Sequence, residues 1–333
     1  MARTCVRRCP PELRELTQHE WFVVLANGTM ALAAALSAMS QAGDDVDLPA
    51  LSCWTLTKAV LDAGLTPRYR DMTAQLAGAP ASADTVTVTV RPWWGDVGAG
   101  EIHERTILDL SVNPAPTPSA STAAACVISM GSRKPAAHPF HGGVLALSRP
   151  ELIDEVDRAL GMYAEKGRWG RLGPRLTELP LPVVDIDRHF RSVREHRPAA
   201  HASAVAVHDR FRDDEALLGS RSPAPAGHSY FTPLVLRADC PLDAADVAEL
   251  ARLRRVPLGL LPIAPAYAQP ALRGLHPAPS HEALPTADLL ARRLLFTPTE
   301  LVGRSPALVQ DVRDFGDWLG ARLQAVSRRD AVL

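Results

Sequence analysis

The chain has 333 residues, of which 47% are hydrophobic and 22% charged, and its formal net charge is −1. That length suits one large domain or two, with enough apolar material for a substantial core. A near-neutral balance gives no bulk attraction to nucleic acid or to an anionic membrane, and no run is long and apolar enough to span a bilayer.

The basic residues are nearly all arginine: of 36, only Lys58, Lys134 and Lys166 are lysine. Arginine stays charged, whereas lysine becomes a neutral nucleophile when its pKa is lowered. A lysine kept in such a chain is therefore a candidate for chemistry. The cysteines, Cys5, Cys9, Cys53, Cys126 and Cys240, are odd in number and scattered. That usage fits a reducing cytosol, so a cytoplasmic protein is expected. No histidine or second cysteine pair accompanies Cys5 and Cys9, so no metal site is expected. Met1 to Pro10 is basic but lacks the apolar core of a signal peptide.

In chain order, Glu20 to Ala26 is predicted as a strand, Asn27-Gly28-Thr29 as a sharp turn, and Met30 to Met39 as a helix. Helix amides facing back toward a strand end can bind phosphate, with Thr29 adding a hydroxyl; an ordinary N-cap explains the same residues. Asp45 to Leu48 is a short strand, Trp54 to Ala63 a helix, and Thr66 to Asp71 a strand. Thr85 to Val90 alternates threonine and valine, a strand pattern, and Trp93-Trp94-Gly95 follows it. Thr106 to Leu110 is a strand with Asp109 near its end.

Val127-Ile128 and Val144 to Leu147 are predicted strands flanking an exposed turn. That turn carries Ser129, Gly131, Lys134, His141 and Gly142-Gly143. Arg149 to Tyr163 is a helix, Gly167 to Arg197 irregular, and Asp213 to Gly227 a loop. A second unit then begins near Tyr230. It has strands at Phe231 to Ala238 and Pro257 to Ile263, a helix at Asp243 to Arg254, a proline-rich loop at Pro265 to Leu284, and a closing helix at Pro306 to Val326. Strands alternating with helices predict a mainly parallel, doubly wound sheet with ligands at the carboxyl ends of its strands. The expected division is a large α/β domain over 1–165, a connecting segment over 166–229, and a small α+β domain over 230–333.

Taken in order, these pieces resemble the DegT/DnrJ/StrS sugar aminotransferases, fold-type I enzymes that use pyridoxal phosphate. The matching segments are Asn27-Gly28-Thr29-Met30-Ala31-Leu32, Gly43-Asp44-Asp45-Val46, and Pro49-Ala50-Leu51-Ser52. Ala63 to Asp71, Ile107-Leu108-Asp109, Ser129 to Lys134, Gly142-Gly143 and, more weakly, Arg175 to Leu179 continue the series. The resemblance implies Lys134 as the cofactor-bearing lysine and proton shuttle. It implies Asp109 as the partner of the pyridine nitrogen, and Gly28, Thr29 and Ser129 as phosphate ligands. Arg175 would reach in from the other subunit of a homodimer with shared sites.

Several positions depart from the family's pattern. Cys53 stands where an aromatic usually stacks on the ring, so Trp54 or Trp94 takes that role or both simply pack in the core. The oxygen contact after Asp109 is missing or made by Asn113. His141 is a substrate or relay residue, or a solvated loop histidine. The function implied is amino transfer from an amino acid to a keto sugar nucleotide or natural-product intermediate, in secondary metabolism such as antibiotic biosynthesis. Another pyridoxal-phosphate reaction (elimination, racemisation or substitution) and a non-catalytic partner protein are the alternatives.

Overall fold

The computed structural model describes residues 6–73, 78–79, 82–91, 101–132, 134–166, 183–212, 231–237, 240–260, 265–272, 284–298 and 305–330. An eight-stranded sheet organises the first part. In chain order its strands are β1 (Arg7–Arg8), β2 (Trp21–Leu25), β3 (Asp45–Pro49), β4 (Thr66–Arg70), β5 (Val86–Val90), β6 (Thr106–Asp109), β7 (Ala125–Ser129) and β8 (Gly143–Leu147). They lie side by side as β1-β2-β8-β7-β6-β5-β3-β4. Strands β7, β6, β5, β3 and β4 run parallel, and β8 runs antiparallel to both β7 and β2. The sheet is therefore mainly parallel, as expected.

Period-two alternation sorts each strand onto two faces. Val23, Leu25, Val46, Leu48, Val86, Val88, Ile107, Ala125 and Val127 pack with helices α2 (Gly28–Met39), α3 (Trp54–Asp62) and α4 (Glu151–Lys166). Helix α2 is apolar nearly all round, from Met30 to Leu36, because it lies between the sheet and both neighbouring helices. Phe22, Val24, Leu108, Cys126, Ile128, Val144 and Ala146 face the other way. They meet α1 (Pro11–Thr17) and α5 (Val183–Arg212).

Helix α5 corrects the expectation of irregular chain from Gly167 to Arg197, since from Val183 onward it is helical. Ile186, Phe190 and Val193 recur at helical spacing and bury against Leu13 and Leu16 of α1. Its outer face is ionic, with Arg194 paired to Glu12 and Glu15 and Arg191 to Asp187. A surface helix needs only a narrow apolar stripe, and here charge and the interior Pro198 mask it. Helix α1 and the edge strand β1 were likewise not expected.

From residue 231 onward a further hydrophobic cluster forms. Strands β9 (Phe231–Val235) and β10 (Leu294–Pro298) pair antiparallel. With α6 (Ala244–Leu253) and α8 (Pro306–Asp330) they enclose Leu234, Val247, Leu295, Val312, Phe315 and Leu319. Asp243 caps α6 through a reciprocal capping box with Asp246. The strand expected over Pro257 to Ile263 is corrected: its described part makes a single bridge, Gly259 to Phe296. Pro257 has no amide hydrogen to extend the ladder.

Helix α7 (Pro285–Arg293) returns to the large sheet. Asp71, just past β4, accepts from the amides of Thr286 and Ala287 at its start. Tyr267 meets Tyr69 edge-on at 5.6 Å, and its hydroxyl donates to Asp288 at 2.6 Å.

Candidate active site

The strand pairings set Leu25, Gly143 and Ser129 at one level, with Asp109 at the end of the next strand, β6. This is the carboxyl edge of the parallel strands, where an open α/β sheet binds its ligands.

Asn27 is extended, and its side chain accepts from the Met30 amide at 2.8 Å. It is thus a true N-cap. The cap takes care of the third amide and leaves those of Gly28 and Thr29, at the first two helical positions, without intrahelical acceptors. The cap and the anion site are compatible readings of one turn. Gly28 lies against the end of β7: an added Cβ would fall 2.7 Å from Ser129 Cβ. At Gly143 an added Cβ would run into the Asn27 carbonyl and come within 2.5 Å of the Gly28 nitrogen. Both glycines are fixed by close backbone approach, and together they let helix α2 start directly over the strand ends.

Asp109 is 7% exposed. Its Oδ1 accepts from the Ser111 amide at 2.8 Å, and Ser111 Oγ in turn accepts from the Ser129 amide at 2.8 Å. Sequence reading missed Ser111. The available signal was a small polar residue two places beyond a strand-end aspartate. Ser129 Oγ accepts from the Gly131 amide at 3.4 Å, which leaves its own proton free to donate. Lys134 is half-buried in the turn between β7 and β8, with its amide bonded to the Gly131 carbonyl at 3.0 Å. Gly131 sits between the two side chains: a Cβ there would lie 3.5 Å from Ser129 Oγ and 4.0 Å from Lys134 Cγ.

One connected set thus joins Gly28, Ser129, Asp109 and Lys134 through Ser111 and Gly131. Thr29 follows Gly28 on the same helical turn. Trp54 begins α3 and is half-buried, while Asn113 is fully buried. Cys53 occupies the N-cap position of α3 without a side-chain cap bond, and its Sγ accepts from Thr55 Oγ1 at 3.1 Å. His141 is exposed, in the left-handed region at φ 54°. Arg175, Trp93 and Trp94 lie outside the described residues. Among the described residues no cluster of ligating side chains suits a metal ion, and no helix is long and apolar enough to cross a membrane.

The donor set fits pyridoxal phosphate. Two open amides and two hydroxyls at a helix N-terminus match a phosphate. A buried carboxylate with one oxygen bonded in place matches a protonated ring nitrogen, and an amine stands on the adjoining turn.

No family model matches the sequence, and no curated protein matches it. Solved structures do resemble it. A DegT DnrJ EryC1 StrS aminotransferase from Brucella abortus aligns with TM-score 0.66 at 15% identity, over 94% of this chain and 91% of that one. DesI, determined with its TDP-sugar product, aligns with TM-score 0.69 at 17% identity, over 98% and 89%. GDP-4-keto-6-deoxymannose-3-dehydratase, ColD, with bound GDP-perosamine, aligns with TM-score 0.64 at 12% identity, over 90% of each chain. At such identities the likeness establishes the fold: this chain has the architecture of these sugar-modifying enzymes.

Proposed function

We propose that this protein is a pyridoxal-phosphate-dependent aminotransferase. It moves an amino group from an amino acid, glutamate or glutamine, to a keto group on a sugar nucleotide or natural-product intermediate of secondary metabolism. One observation carries the reading: Gly28, Ser129, Asp109 and Lys134, far apart in sequence, form one connected set at the carboxyl edge of the sheet. The fold shared with sugar aminotransferases supports it.

When bound, the cofactor supplies an electron sink for bond breaking at the substrate's amine-bearing carbon. The chain's own residues do the rest. The Gly28 and Thr29 amides, with the Thr29 and Ser129 hydroxyls, bind the phosphate. Asp109 accepts from the ring nitrogen and keeps its proton there. Lys134 holds the cofactor through Nζ, and its freed amine carries a proton to and from the reacting carbon. Trp54 and Asn113 complete the ring's surroundings. Arg175 reaches the phosphate of a partner subunit in a cytoplasmic homodimer with shared sites.

A second reading keeps the cofactor and changes the reaction to elimination, racemisation or substitution. The dehydratase among the similar structures favours it. The test is an absorption spectrum with added pyridoxal phosphate, for the wild type and Lys134→Ala. A band near ~420 nm, from the lysine-bound cofactor, is expected in the wild type alone. Its bleaching by glutamate or glutamine, with release of the keto acid, separates amino transfer from the second reading. No band in either protein refutes both and leaves a non-catalytic partner protein.

A further inference from the structure

Helix α5 reaches the lysine-bearing turn through one imidazole. His189 Nε2 lies 3.1 Å from the carbonyl oxygen of Ala136, two residues beyond Lys134. A carbonyl can only accept, so this nitrogen carries the hydrogen and His189 is the donor. The His189 ring also meets His138 edge-on, with centroids 4.8 Å apart, and His138 stacks on Phe140 at 5.4 Å.

His138 is itself fixed within the turn. Its amide donates to the Met130 carbonyl at 3.0 Å, and its Nδ1 accepts from the Phe140 amide at 3.2 Å. The Lys134 carbonyl accepts from the Ala137 amide at 3.0 Å. So the residues that follow Lys134 are tied to one another and, through His189, to a helix. That helix is anchored: Ile186, Phe190 and Val193 are buried on either side of the histidine. A turn without regular structure is mobile unless something rigid holds it.

We infer that His189 is a positioning residue for Lys134: its bond to Ala136 pins the lysine turn to helix α5 and keeps the amine at the Ser129–Asp109 edge. Burial and the neighbouring His138 ring hold the His189 imidazole below its ordinary pKa, against the pull of the Ala136 carbonyl. A neutral imidazole has one N–H, and here it is committed to Ala136. The clamp rests on geometry alone; its consequence for the cofactor rests on the proposed function.

The test compares full-length, cofactor-free wild type, His189→Leu and His189→Gln in two ways. The first is hydrogen exchange in the peptide covering 130–142. The second is the rate at which pyridoxal phosphate is trapped on Lys134 by borohydride reduction, mapped by peptide mass spectrometry. Only Lys58 and Lys166 compete, so the assignment is simple. In His189→Leu, exchange at the Ala137 and His138 amides should rise about tenfold and trapping on Lys134 should slow by a similar factor. Glutamine places an amide donor where Nε2 stands, so His189→Gln should recover most of both. Wild-type exchange and trapping in folded His189→Leu overturns the inference. Equal loss in a folded His189→Gln overturns it too, because the donor would then not be the reason. If the wild type traps no cofactor while the exchange difference remains, the clamp stands and the cofactor reading falls. Should His189→Leu fail to fold, His189→Phe carries the same comparison, since it keeps a ring against His138 without the donor.

Discussion

Gly143→Ala probes the point where the predicted motifs meet. The new Cβ would overlap the Asn27 carbonyl and lie 2.5 Å from the Gly28 nitrogen, where ordinary contact begins at 3.4 Å. Relief therefore needs a movement of nearly 1 Å. No flexible side chain can give way at this contact, because the three nearest atoms belong to the Asn27–Gly28 peptide backbone. Strand β8 cannot yield cheaply either, since Gly143 pairs with Leu25 on one flank and Ser129 on the other. Overpacking typically costs ~1–3 kcal/mol, and a backbone-on-backbone overlap should sit at or above the top of that range. Against a total stability of ~5–15 kcal/mol, a loss near 3 is large. Displacing Asn27 and Gly28 would also spoil the amide pair offered to a phosphate. The assay is urea unfolding of the cofactor-free protein, with Gly259→Ala as control. Nothing lies within 4 Å of a Cβ built at Gly259, so that change should fall within ~0.5 kcal/mol of wild type. A Gly143→Ala protein as stable as the control would refute the close approach of α2, β7 and β8, and the phosphate cradle with it.

His19 is 1% exposed, and burial lowers its pKa to about 4, with only the Gln18 backbone opposing. Between pH 6.5 and 4 the unfolded chain takes up this proton and the folded chain does not, so stability falls with pH across that window. The loss should reach about 2 kcal/mol by pH 4.5, and His19→Gln should remove it when urea unfolding is compared at pH 7 and 4.5. Burial disfavours the Asp71 carboxylate, but the amides of Ala287, Met72 and Thr286 outweigh it and hold the carboxyl below its ordinary value. Asp71→Ala leaves those amides without an acceptor and should cost roughly 1–3 kcal/mol near neutral pH. That difference from wild type should shrink as pH falls below the ordinary carboxylate value of 3.8, because the stabilisation exists only while Asp71 is ionised.

The sequence by itself determined most of the large sheet. Thr85 to Val90 and the runs around Ser129 and Gly143 are strands because alternation and β-branching act within a few residues. The turn at Asn27 is likewise local, since a side chain caps an amide three residues on. Helix α5 was hidden because its described apolar stripe, Ile186, Phe190 and Val193, gains meaning only against Leu13, Leu16 and Phe22. Among the described residues the strand expected at Pro257 is one bridge, where Gly259 meets Phe296 of β10. The site divides in the same way. Lys134 and Asp109 were visible as residue types at strand ends. That Ser111 links Asp109 to Ser129, that Gly143 is glycine because Asn27 crosses it, and that His189 reaches Ala136 were decided by the tertiary structure alone. These contacts join chain positions up to 116 residues apart, as between Asn27 and Gly143. Local propensity carries no information about such pairs; sheet order and helix packing bring them together.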